Sequence, residues 1–229
     1  MAGAGLRADP PLRQQLTGLL GGSFNPAHGA HRRISLFAID ALDLDEVWWL
    51  VSPGNVLKPA AGMAPLAARF ASAREVACGA RIKVTAIEAD LGTRYTRDTL
   101  RALKRRYPRR RFVWLMGMDN LAQFHRWRGW REIARELPIA VLVRPGYEAN
   151  ALASPAMAWL RRWRRRHGQD LNGAKRSAPA LAILRFDPDT RSATAIRAAD
   201  PEWFRRFDRA AQRDMLTHRP IAVSGIGPL

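Results

Sequence analysis

Short apolar runs alternate along the chain with longer stretches in which apolar residues recur every three or four positions. The runs are LTGLL (16–20), VWWLV (47–51), IKVTAI (82–87), RFVWLM (111–116), IAVLV (139–143) and LAILRF (181–186). Runs this short and this continuously apolar predict strands buried in a sheet. Between them, residues 30–42, 65–78, 96–106 and 119–136 carry helical spacing. Strand, helix, strand at this pitch predicts right-handed crossovers and a parallel sheet with helices on both faces, an α/β fold. In such a sheet ligands sit outside the carboxyl ends of the strands, where the strand order reverses.

The pattern weakens at three places. Residues 1–15, MAGAGLRADPPLRQQ, lack the charged-then-apolar order of a signal peptide and read as a flexible tail ahead of a domain over 16–199. Residues 146–180 read as an irregular basic insertion, with SPAMAWLRRWRRRHG a short helix whose Met157, Leu160 and Trp163 face inward. Its arginines are more often a solvated face than a nucleic-acid patch. Residues 200–219 predict a terminal amphipathic helix, and 220–229 a loose tail. No apolar run is long enough to cross a bilayer.

Composition changes this picture in one respect. A chain of 229 residues, 47% hydrophobic and 25% charged, is ordinary for one packed domain, but 38 Lys+Arg against 20 Asp+Glu leave a net charge of +18. All the lysines are Lys58, Lys83, Lys104 and Lys175, so the excess is arginine. Such a field attracts anions, and by itself it does not choose between a mononucleotide and a polynucleotide. The single Cys78 excludes an internal disulfide and favours a reducing, cytoplasmic setting.

Three segments carry candidate chemistry, and each follows a predicted strand. In GLLGGSFNPAHGAHRRIS (18–35), a Gly-Gly turn precedes Ser23, and His28 and His31 stand three apart. A helix starting near His28 puts both imidazoles on one face close to its positive end, where free N–H groups favour an anion. The segment matches neither GxxxxGK[ST] nor GxGxxG. In RSATAIRAAD (191–200), Ser192 is a good helix cap, with Thr194 and Arg197 in the first turn. Alone, it would more often be an ordinary capped helix. In WLMGMDNLAQFHRWRGWREI (114–133), a strand ends at Gly117 with Asp119 just beyond, placed to cap a helix, accept a ribose hydroxyl or help hold a metal. Phe124, Trp127 and Trp130 form a core-like stripe that Gly129 interrupts, leaving one indole to stack on a flat ring. There is no Ser-His-Asp or Cys-His arrangement for nucleophilic catalysis.

These residues converge on a known family. GGSFNPAHGAH resembles the GG[ST]F[DN]PxHxGH signature of nucleotidyltransferases that transfer an adenylyl or cytidylyl group, and SATAIR is similar to their ISxTxIR motif. GMDNLAQFHRWRGWREI, with RYTRDTL (94–100), resembles the narrower family of nicotinate-nucleotide adenylyltransferases. The likeness runs from residue 18 to 197. It implies a Rossmann-like doubly wound parallel sheet, here a single domain with a C-terminal helical segment. It also implies adenylyl transfer from ATP, bound with Mg²⁺, to nicotinate mononucleotide, giving deamido-NAD and pyrophosphate.

Carried over by position, the resemblance implies that Gly21, Gly22, Ser23 and Phe24 line the ATP site and that His28, His31, Lys58 and Arg197 serve catalysis at the phosphates. Gly117 and Asp119 would hold the adenosine side, Ser192 and Thr194 the phosphates, and Asn25, Thr96 and Trp127 the nicotinate mononucleotide. Two departures are Ala30 for the usual glycine of HxGH and Asn25 for the commoner aspartate. Nicotinamide mononucleotide or phosphopantetheine as acceptor is the alternative within enzymes, and a basic nucleic-acid-binding protein the alternative outside them. The enzyme reading expects no nucleic-acid or membrane partner and leaves the oligomeric state open.

Overall fold

The computed structural model describes residues 14–54, 62–143, 148–166, 171, 177–186, 191–207 and 212–221. Six strands, β1 (Gln15–Gly22), β2 (Glu46–Val51), β3 (Ile82–Thr85), β4 (Arg110–Gly117), β5 (Ile139–Leu142) and β6 (Leu181–Leu184), coincide with the six apolar runs. They form one parallel sheet in the order β3-β2-β1-β4-β5-β6, parallel as the alternation implied and doubly wound as the resemblance implied. The crossovers carry α1 (Gly29–Leu42), α2 (Leu66–Ala77), α3 (Ile87–Asp90), α4 (Thr96–Arg106), α5 (Met118–Gln123) and α6 (Trp130–Glu136). Further on lie α7 (Glu148–Leu152), α8 (Pro155–Leu160) and α9 (Ala193–Ala199).

Strand residues are apolar on both sides because both faces are covered. Trp48 and Trp49, neighbours on β2, are each at most 1% exposed and enter opposite cores. Trp49 shares one cluster with Ile39 and Leu42 of α1 and Phe70 and Ala73 of α2. Trp48 joins Leu100 and Leu103 of α4, Leu121 of α5 and Ile133 of α6. Each large side chain so buried contributes about 1.5–3 kcal/mol.

Three expectations change. The helix expected over 119–136 is two helices, α5 and α6, joined by a 3₁₀ turn at Phe124–Arg126 and a bend that ends at Gly129. Gly129 sits at φ 66°, and a Cβ there would lie 2.6 Å from the Arg97 side chain, so glycine alone fits the bend. The basic insertion is more regular than expected in its described part. Ser154 caps α8 by accepting from the Met157 N–H (3.1 Å), while Met157 and Leu160 are buried and Trp163 is half-buried.

The third correction is the terminal helix expected over 200–219. Its described residues form a 3₁₀ turn, Trp203–Phe207, and a small antiparallel pair, β7 (Gln212–Arg213) with β8 (Pro220–Ile221). The cause is Asp214, 2% exposed. Its carboxylate accepts from Thr85 Oγ1 (2.8 Å), the Ala86 N–H (2.6 Å), the Leu216 N–H (2.8 Å) and the Thr217 N–H (2.9 Å). Hydrogen bonds to a charged group contribute about 1.5–3 kcal/mol each, against tenths for helix propensity, so the chain turns at the end of β3. The tail expected over 1–15 lies outside the described residues except for its last two, and Gln15 already begins β1.

Candidate active site

The strand order reverses between β1 and β4, so the crevice for a ligand opens at their carboxyl ends. Leu20 lies opposite Leu115, which brings Gly21 and Gly22 beside the end of β4 at Gly117. At Gly21 a Cβ would stand 2.7 Å from the Trp114 ring; the backbone there must be bare for the indole to lie against it.

Beyond Gly22 the chain turns sharply. Phe24 takes φ 47°, a left-handed conformation costing a non-glycine residue about 1–2 kcal/mol, and its ring stacks on Trp49 at 5.0 Å. The Asn25 amide is committed to the backbone, donating to the Gly62 carbonyl (2.8 Å) and accepting from the Ala64 N–H (3.2 Å). His28, buried and extended, is the residue before α1, which starts as the histidine spacing required. The two imidazole centroids are 4.0 Å apart.

His31 is held on several sides. Its Nδ1 accepts from the His28 N–H (3.2 Å), and its ring leans on Phe24 (5.0 Å). Ser35 Oγ donates to the His31 carbonyl and accepts from Trp49 Nε1, both at 2.8 Å. A neutral imidazole that accepts at Nδ1 carries its proton on Nε2, which makes His31 a hydrogen-bond donor. At the positive end of α1, this arrangement suits phosphoryl oxygens.

Gly117 precedes α5 and half-buried Asp119 lies in its first turn. Ser192 caps α9 as predicted, its Oγ accepting from the Ala195 N–H (3.1 Å). Arg197 reaches from α9 to the histidine loop: Nη1 donates to the Asn25 carbonyl (2.5 Å) and Nη2 to Thr194 Oγ1 (3.4 Å). Segments 21–31, 117–119 and 192–197 therefore meet at one rim. Lys58, expected near the phosphates, lies outside the described residues.

Thr96 opens α4 next to the bend after α5. Arg97 packs on Gly129, and the Arg128 guanidinium lies 4.6 Å over the Tyr95 ring. Half-buried Trp127 meets Phe124 (5.4 Å) and Trp114 (6.3 Å) edge-on. Trp114 in turn lies against Gly21, so Thr96 and Trp127 flank the same crevice from the α4 side.

The model of the cytidylyltransferase-like family matches residues 19–199. Over 205 residues the chain is 66% identical to the probable nicotinate-nucleotide adenylyltransferase of Erythrobacter litoralis, covering 90% of this chain and 94% of that protein. The chain belongs to the nicotinate-nucleotide adenylyltransferases. A second relative of that name, from Bradyrhizobium, is 52% identical over 81% of this chain and 97% of its own. The Plasmodium falciparum nicotinic acid mononucleotide adenylyltransferase solved with NaAD shares the fold, with a TM-score of 0.60 at 14% identity over 80% of this chain and 83% of its own.

Around the crevice of this adenylyltransferase stand two charged residues that sequence reasoning missed. Glu88 on α3 has its carboxyl pushed up to about 7, chiefly by burial, although Thr99 Oγ1 donates to it (3.2 Å) and opposes the shift. Thr99 also meets Thr93, Oγ1 to Oγ1, at 2.9 Å, so the cluster backs the turn that leads into Thr96. Arg69 on α2 is 0% exposed, and burial pushes its guanidinium down to about 10, still charged at neutral pH. Its one trace in the sequence is an arginine inside a run of small and apolar residues, LAARFASA (66–73).

Proposed function

We propose that this chain transfers the adenylyl group of ATP to nicotinate mononucleotide at the β1–β4 crevice. The 5′-phosphate oxygen forms a bond to the α-phosphorus as the bond to the bridging α–β oxygen breaks, and pyrophosphate leaves with that electron pair. An ionised phosphate needs no general base. Catalysis rests on in-line positioning and on stabilising charge at the phosphoryl oxygens. The observation that carries this reading is Arg197 donating to the Asn25 carbonyl, which joins the second anion-binding segment to the histidine loop.

In this assignment His28, His31 and Arg197 face the ATP phosphates, with Ser192 and Thr194 at the start of α9, and the family resemblance adds Lys58 to this catalytic set. Gly21, Gly22, Ser23 and Phe24 line the phosphate side, and Gly117 and Asp119 the adenosine side. Trp127 and Thr96 receive the nicotinate ring, while Asn25 acts through the loop its amide holds. ATP enters as its Mg²⁺ complex, since the ion keeps much of its own coordination and seldom takes a cage made wholly of protein. Among the described residues no three His, Cys, Asp or Glu side chains converge on one point. The positive charge serves two polyanionic substrates, without a nucleic-acid or membrane partner. Exposed Cys78 fits a reducing cytoplasm, and no helix among the described residues is long and apolar enough to cross a membrane.

The test is pyrophosphate release from ATP with nicotinate or nicotinamide mononucleotide as acceptor. The expected result is turnover with both ATP and an acceptor required and the nicotinate form preferred. His31→Ala should lower kcat by about a hundredfold with smaller changes in KM, as removal of a charge-stabilising donor does. Absence of turnover, or near-normal kcat in the variant, refutes the respective assignment.

A further inference from the structure

Among the described residues Arg69 donates to backbone carbonyls alone: Nε to Ala64 (2.8 Å), Nη1 to Ser23 (2.7 Å) and Ser52 (2.8 Å), and Nη2 to Pro53 (3.2 Å). No aspartate or glutamate among the described residues pairs with it. A fully buried cation on neutral acceptors is costly, and an apolar side chain would fill the same space at less cost. What the guanidinium adds is reach. Its planar fork spans the loop after β1, through Ser23, and the loop after β2, through Ser52 and Pro53. It also ties in Ala64 ahead of α2.

Asn25 supplies a second tie, holding Gly62 and Ala64 from the β1 side, and Arg197 sits on the Asn25 carbonyl. Buried guanidinium, loop amide and rim arginine thus form one connected network under the histidine loop. The fork also sets peptide orientation. A trans peptide holds its N–H opposite its carbonyl, so drawing the Ser23 oxygen inward turns the Phe24 N–H away from Arg69. That constraint falls on the residue held in the left-handed conformation, φ 47°.

We infer that Arg69 is a positioning residue for adenylyl transfer, fastening the loops after β1 and β2 so that the peptide before Phe24 and the histidines beyond it face the phosphates in one orientation. The inference rests on the proposed reaction at this crevice. Arg69 touches no reacting atom, so its loss should affect the chemical step more than the binding of either substrate.

Arg69→Lys keeps a charge but cannot span four carbonyls, and Arg69→Met keeps volume without donors. Both should lower kcat at least tenfold, with KM for nicotinate mononucleotide within about twofold of wild type. In Arg69→Lys, backbone amides of 23–31 should exchange hydrogen at least tenfold faster, while those of β5 and β6 stay unchanged. If both variants retain kcat within twofold, whatever their melting temperatures, or if neither folds, Arg69 serves stability alone and the inference is wrong. An inactive wild-type protein would overturn the reaction assigned to the crevice. In that case the exchange comparison still decides whether Arg69 fastens the loop, and unchanged exchange in 23–31 overturns the fastening too.

Discussion

Trp127 keeps part of its indole open to solvent while Phe124 and Trp114 hold it edge-on, the placement of a ring that can receive a flat ligand. Stacking of that kind contributes roughly 0.5–1.5 kcal/mol beyond area burial. Trp127→Ala should therefore raise KM for nicotinate mononucleotide several-fold and leave KM for ATP nearly unchanged. A tryptophan serving the core would instead cost about 3–5 kcal/mol of stability and degrade both constants together, which steady-state kinetics beside a melting curve distinguishes. At this scale the sequence was informative where spacing implies geometry, as for His28 and His31. It was silent where a side chain's partner is a distant backbone atom: nothing local shows that the Asn25 amide reaches Gly62 and Ala64. Ala30 shows the reverse. Its methyl is buried in the first turn of α1, where backbone angles suit alanine, so the departure from glycine is accommodated by the helix.

Between β3 and α4 the chain packs the Glu88 carboxyl against Thr99, and burial lifts it from 4.5 to about 7. A raised carboxylate pKa means that the folded state binds the extra proton between those values. The destabilisation is therefore absent below about 4.5, grows as pH rises through that window, and is complete above about 7. Glu88→Gln keeps an acceptor for Thr99 and removes the charge. It should raise stability at pH 8 by on the order of 1–2 kcal/mol and leave stability at pH 4.5 unchanged, measured by denaturant unfolding at both pH values. An equal effect at both would refute the burial account. Elements with strong periodicity, such as α1 and α4, were legible from sequence within a residue or two. The break between α5 and α6 and the β7–β8 pair were not, because contacts with Arg97 and Thr85 decide them and both lie far along the chain.

Across the whole molecule, the net charge is +18, and the proposed reaction brings two polyanions into one crevice. Long-range attraction of this kind speeds encounter and is screened within about 10 Å at 0.1 M salt. Raising KCl from about 0.05 M to about 0.5 M should lower kcat/KM for ATP several-fold while kcat changes little. A kcat/KM indifferent to salt would mean that the excess arginine plays no part in substrate capture.

The sequence by itself determined the six strands, the helices α1, α2 and α4, the parallel sheet with helices on both faces and the three rim segments. All follow from short-range periodicity and from motifs whose spacing is local. Only the tertiary structure decided how the segments engage. Parallel pairing of β1 with β4 set Gly21 beside Trp114, and the Asn25 carbonyl received an arginine 172 residues away. Asp214 turned the expected terminal helix into a hairpin by finding donors at the end of β3, and Arg69 found carbonyls on two loops. These outcomes share one physical reason: a buried charged or polar group must satisfy its hydrogen bonds wherever partners exist in space, and distance along the chain does not say where that is.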